Sequence, residues 1–99
     1  MGRMHAVILE HGPAWDDARG LREQDGWEEH AAFMDQLVDD GVILLGGPLS
    51  DEVRTAQAVR AGSEDEVRAT FARDPWSGSH LVIDSIEAWT IRLAPEGLL

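Results

Sequence analysis

The sequence predicts an α+β domain of ferredoxin-like type: a βαββαβ chain in which four antiparallel strands carry two helices on one face. Three observations lead there. Residues 27–41 place apolar side chains at helical spacing, and a branched run at 42–45 follows at once. Residues 63–66 spell a helix start. Further runs of branched, apolar and aromatic residues stand at 4–10, 54–61 and 80–93. Helical and extended patterns therefore alternate as strand, helix, strand, strand, helix, strand, within 99 residues that form one domain, 1–99.

Each element has its own warrant. Met4 to Glu10 is apolar on both faces, as a central strand is, and His11-Gly12-Pro13 bounds it. The polar connection from His11 to Gly26 is long enough to fold over the mouth of a site, and Leu21 to Gln24 starts a helical turn within it. The first helix begins at Asp25 or Gly26 and runs to Asp40. Trp27, His30, Ala31, Met34, Leu37 and Val38 make its packing stripe, and Gly41 closes it. Val42 to Leu45 is a strand that Gly46-Gly47-Pro48 is expected to stop. After a turn at Ser50-Asp51-Glu52, Arg54 to Ala61 alternates as a strand hairpinned to the one before.

Ser63-Glu64-Asp65-Glu66 reads as a capping box, with three acids suited to the positive end of a helix dipole. The second helix packs through Val67, Thr70 and Phe71 and ends before Pro75, since the residue before a proline avoids helical angles. The last strand runs from His80 to Leu93, and its alternation slips near Ser85 and Ile86, where a bulge fits. Two helices cover one sheet face, so the other needs a cover of its own. A second copy of the chain, a homodimer, is the expected one, seated against Ile83, Trp89 and Ile91.

The charge balance narrows the partners. Nineteen Asp and Glu stand against eight Arg, for a net charge of -11. Nucleic acid and anionic membrane surfaces need clustered cations, so neither is expected. Absence of cysteine excludes thiol nucleophiles, disulfides and cysteine metal sites. The start, MGRMHAVILE, has no long apolar region or cleavage pattern, and no stretch approaches a membrane span. The expected setting is the cytoplasm.

Four histidines supply the chemistry. None has a metal-ligand spacing, so no metal and no cofactor is expected. His30 is the unusual one, because it lies on the apolar face of its helix. Its ring nitrogens must be satisfied there or carry a desolvation penalty. A carboxylate is the natural partner, and Asp74, at the end of the second helix beside Pro75 and Trp76, is the best placed acid. Two readings follow. Either the pair pins two helices together, or it handles a proton for a small-molecule ligand. In the second, Trp27, Met34 and Trp76 wall a pocket and Gly46, Gly47 and Pro48 bring backbone close to the ligand.

The helix with His30, the Gly-Gly-Pro at 46–48, the Ala-Gly-Ser at 61–63 and Asp74-Pro75-Trp76 before a long last strand together resemble the YciI-like (YCII-related) family, over about Met4 to Leu93. The resemblance implies a ferredoxin-like domain that dimerises through its sheets, a dimeric α+β barrel. It also implies a His–Asp active-site pair, matched here by His30 and Asp74. Most members have no assigned reaction; one removes chloride from a chlorinated, hydroxylated ring-derived substrate. Members often carry an arginine three residues before the histidine. This chain has Trp27 there, and Arg22 is the nearest upstream substitute as an anion clamp. Lyase, dehalogenase or isomerase chemistry is the activity to expect, with a non-catalytic binding module as the alternative.

Overall fold

The computed structural model describes residues 3–99. Four strands, β1 (Met4–His11), β2 (Ile43–Pro48), β3 (Thr55–Arg60) and β4 (Leu81–Trp89), form one sheet in the order β2-β3-β1-β4. All three pairings are antiparallel. Helix α1 spans Trp27–Asp39 and helix α2 spans Glu64–Phe71. The element order and the antiparallel sheet are compatible with a ferredoxin-like fold.

The pairing register divides the sheet into two faces. Val7 stands opposite Gln57 on one side and Ile86 on the other, and Leu9 stands opposite Ile83. Val7, Leu9, Ile83 and Ile86 join Leu37 of α1 and Val67 and Phe71 of α2 in one core, so both helices cover the same face. Val7, Val59, Val67 and Trp76 are its most deeply buried side chains. Ile83 belongs to this core rather than to the open face expected for it. The opposite face presents Ala6, Ile8, Ala56, Ala58 and Leu45, with Trp89 in register at one corner. Leu45 and Trp89 are large apolar residues left exposed.

β1 lies between two neighbours, as its two-sided apolar run requires. The register against β4 shifts between Ile8 and Leu9, which passes over Asp84 and places the bulge one residue before the expected slip. β4 ends at Trp89, four residues short of the expected Leu93. Gly46-Gly47-Pro48 does not stop β2. All three residues pair with β3, and proline is tolerated because β2 is an edge strand. Gly41 follows α1 at φ 74°, as a residue closing a helix does.

The connection after β1 is fastened at both ends. The Gly12 and Ala14 N–H groups donate to His80 and Ser79 carbonyls at 2.8 and 2.9 Å. Further along, the buried side chain of Gln24 ties the loop to itself. Its Nε2 donates to the Asp16 and Arg19 carbonyls at 2.7 and 3.0 Å, and its Oε1 accepts from the Asp16 N–H at 3.0 Å. A 3-10 turn occupies Leu21–Glu23, where the sequence starts a helical turn.

Candidate active site: a buried imidazole–carboxylate pair beside an apolar cavity

Asp74 reaches the site through the turns that continue α2. Its N–H donates to the Phe71 carbonyl at 3.0 Å, and its own carbonyl accepts from Ser77 at 2.9 Å. His30 arrives on the first turns of α1. Both Asp74 carboxylate oxygens lie 2.9 Å from His30 Nδ1. The Trp76 N–H donates to Oδ1 at 2.9 Å. A carboxylate only accepts, so Nδ1 carries the proton of this hydrogen bond and Nε2 is the nitrogen not used by the pair. His30 and Asp74 are 7% and 6% exposed, which makes this a desolvated pair. The side-chain hydrogen bonds of His30 among the described residues are both at Nδ1, and His30 lines a cavity.

Trp76 holds the pair from behind. Its ring stacks on the His30 imidazole at 4.2 Å between centroids and 7° between planes, and on His80 at 4.9 Å and 22°. Its indole N–H donates to the Asp25 carbonyl at 2.7 Å, where α1 begins. Trp27 leans on both rings, with centroids 5.9 Å away from each.

The cavity holds about 500 Å³, within the range of small-molecule sites. Of the residues expected at the site, Trp27, His30, Met34, Gly46, Gly47 and Pro48 line it. Asp74 and Trp76 do not. Asp74 touches His30 from the buried side, and Trp76, only 2% exposed, is a backing plate rather than the pocket wall expected of it. Gly46 has a further use beside its place on the lining. A Cβ there would stand 2.9 Å from Gln57 Cγ, so the glycine makes room for a neighbouring side chain. A Cβ on Gly47 would meet nothing within 4 Å.

Several cavity residues escape a reading of the sequence. Trp15 and Leu21 come from the long connection, which thus contributes to the lining. Trp15 stacks on His11 at 3.7 Å and meets the edge of Trp76. Burial pushes His11 below its ordinary value of 6.5, against the opposing influence of the Asp17 and Asp51 charges. Thr55 and Gln57 come from β3, and Glu52 from the turn before it. Their alternation in the sequence is the available signal, because it puts Thr55, Gln57 and Val59 on one face. No Arg lines the cavity among the described residues, and Arg22 is exposed outside it. Asp35 and Glu52 are the acids on its lining.

Among the described residues no cluster of three or more His, Asp or Glu side chains is arranged to hold a metal ion. Among the described residues no helix is long and apolar enough to cross a membrane. Comparison of the chain with protein-family models, with curated proteins and with solved structures gives no match.

Proposed function

We propose that this chain is a small enzyme that moves a proton on a small organic molecule. His30 Nε2 takes and returns the proton. Asp74 orients the ring and stabilises the imidazolium that forms. The observation that carries this reading is a histidine whose Nδ1 is fixed by a buried carboxylate and which itself lines a largely apolar cavity. Apolar walls at Trp27 and Met34 exclude water from the reacting centre. Lyase, dehalogenase and isomerase steps need little beyond one positioned base in such a setting, and no cofactor is invoked. The resemblance to the YciI-like family supports the same assignment of His30 and Asp74, and the departure at Trp27 sets this pocket apart.

The test is proton exchange. Small lactones, phenols and halogenated ring compounds that raise the melting temperature are incubated with the protein in deuterated water, and exchange of their acidic C–H positions is followed by NMR. Exchange is expected with the native chain and is lost in His30→Gln and Asp74→Asn while binding persists. If both variants keep exchange and lose thermal stability, the pair is structural.

That second reading has an observation of its own, since the pair joins α1 to the turn after α2. It makes the protein a ligand-binding module with a pinned core. Under either reading we propose a homodimer of the dimeric α+β barrel type, closed over the uncovered sheet face. Exposed Leu45 and Trp89 on that face support it. Light scattering at micromolar concentration is expected to give twice the mass of 10.9 kDa, and a monomer refutes it.

A further inference from the structure

The cavity beside His30 carries two carboxylates that the fold does not use. Asp35 stands on α1, one residue after Met34, and Glu52 stands in the turn between β2 and β3. Both line the cavity and both are exposed. Neither enters an ion pair among the described residues, where the paired acids are Asp16, Asp25, Asp51, Asp74 and Glu64. The contrast is sharpest within the turn. Its own cation, Arg54, donates to Asp51 at 2.9 Å and leaves the adjacent Glu52 without a partner. Glu52 also holds φ 57°, the only non-glycine residue with positive φ among those described. Glycine or asparagine takes that position more easily.

Nothing on the lining answers these two charges. The chain has no Lys, and none of its Arg lines the cavity among the described residues. Of the two imidazoles there, His30 is committed to Asp74, and burial disfavours the charged form of His11. The rest of the lining is largely apolar. Trp15 and Trp27, each partly buried, stand on it with Leu9 and Leu81. An indole attracts cations better than the other aromatic rings, through the negative potential over its face. A carboxylate or phosphate would meet two like charges and no guanidinium. A protonated amine would meet opposite charge and aromatic surface together.

We propose that the cavity takes a protonated amine carried on an apolar, ring-sized body, and that Asp35 and Glu52 select for its charge. Both carboxylates also reach water, so each acts by screened attraction and the selection is graded rather than absolute. Asp35 and Glu52 are binding and specificity residues, and the proton step stays with His30. This rests on the cavity being the site that His30 serves, and it names the substrate class for that site.

Three probes of similar size test it: 2-naphthylmethylamine, 2-naphthylmethanol and 2-naphthoate. Each is titrated calorimetrically, at pH 7 and low ionic strength, into the full chain, Asp35→Asn, Glu52→Gln, the double variant and Asp39→Asn. Asp39→Asn neutralises an exposed acid of α1 that does not line the cavity, so it measures what the net charge of -11 contributes by itself. In the native chain the amine is expected to bind about fivefold to tenfold more tightly than the alcohol, and the naphthoate most weakly. Each single variant on the lining is expected to cut the amine's advantage about twofold to threefold. The double variant should bring amine and alcohol to within about twofold, with the alcohol unchanged. Asp39→Asn should keep the native preference. An amine preference that survives in the double variant overturns the proposal, as does one that falls as far in Asp39→Asn as in Asp35→Asn. Alcohol or naphthoate binding the native chain as tightly as the amine overturns it too. In each of these outcomes the cavity still binds a ligand, and the role of His30 stands or falls by proton exchange. If none of the three probes binds the native chain at millimolar concentration, the proposal fails together with the cavity as the site.

Discussion

The two helices begin in opposite ways. α2 is started by its own sequence. Ser63 Oγ accepts from the Glu66 N–H at 3.1 Å, and the Glu66 carboxylate reaches back to the Gly62 N–H at 2.9 Å. The carboxylate thus closes one residue earlier than the expected box, on Gly62 rather than on Ser63. α1 has no side-chain cap. It starts from Gly26 at φ 78°, a left-handed turn that a side chain would resist, with a Cβ position only 3.1 Å from Trp76 Nε1. The entry is held instead by the Trp76 indole on the Asp25 carbonyl, 51 residues away in the chain, and by Asp74 on His30. The helix that carries the candidate base is therefore anchored by the site, whereas the other helix is anchored by its own first turn. In α1, site geometry and helix stability are one set of contacts.

That difference can be broken from either end. Asp74→Ala leaves a buried imidazole and the Trp76 N–H without their acceptor, and it is expected to cost about 1–3 kcal/mol in denaturant unfolding for each donor left unpaired. Amide exchange in the first turns of α1 should accelerate with it. Trp76→Phe keeps an aromatic plate behind His30 but removes the indole N–H, at about 1–3 kcal/mol, and should fray the start of α1 while leaving α2 protected. A Trp76→Phe chain in which both helices lose protection equally would dissolve the contrast. Ser63→Ala is the reverse experiment. It should cost about 1 kcal/mol, confined to α2, with no change at His30 in NMR spectra.

The smallest effect belongs to another local device, the turn before β3. Asp51 accepts from the Arg54 and Val53 N–H groups and from the Arg54 guanidinium, which hold its carboxyl down at about 2 from an ordinary 3.8. The folded chain releases this proton more readily than the unfolded one. The contribution is therefore complete above pH 3.8 and is lost as pH falls toward 2. Amide exchange at Val53 and Arg54 should rise over that window, ahead of any change in α1.

The same contrast explains what was legible in the sequence. Ser63 and Glu66 lie within one turn of each other, so their pattern can be read as it stands, to within the one-residue shift onto Gly62. His30 is visible as an odd residue on an apolar stripe, and Asp74 as an acid fixed beside a proline. Their meeting depends on two helices packing on one sheet face, which the order of elements implies. Trp76 was legible as a site residue but not as a backing plate. Its role depends on which side of the imidazole the α2–β4 turn passes, and periodicity carries no such information. Gly46 and Gln57 are further removed still. Nothing in Gly-Gly-Pro or in Thr-Ala-Gln-Ala-Val says that the first glycine lies under the glutamine, because that depends on the register between β2 and β3. The register is itself shifted by a bulge between Ile43 and Leu45.

Trp76 has one more consequence. Its indole stacks against two imidazoles, His30 and His80, while its N–H is tied to the backbone at the start of α1. An excited indole loses its emission to a protonated imidazole in face contact far more readily than to a neutral one. The protein thus carries an optical gauge at the site. In a chain whose other three tryptophans, Trp15, Trp27 and Trp89, are replaced by phenylalanine, Trp76 emission reports the protonation of the two rings that flank it. His80→Gln then isolates the signal of His30, with no label and no substrate.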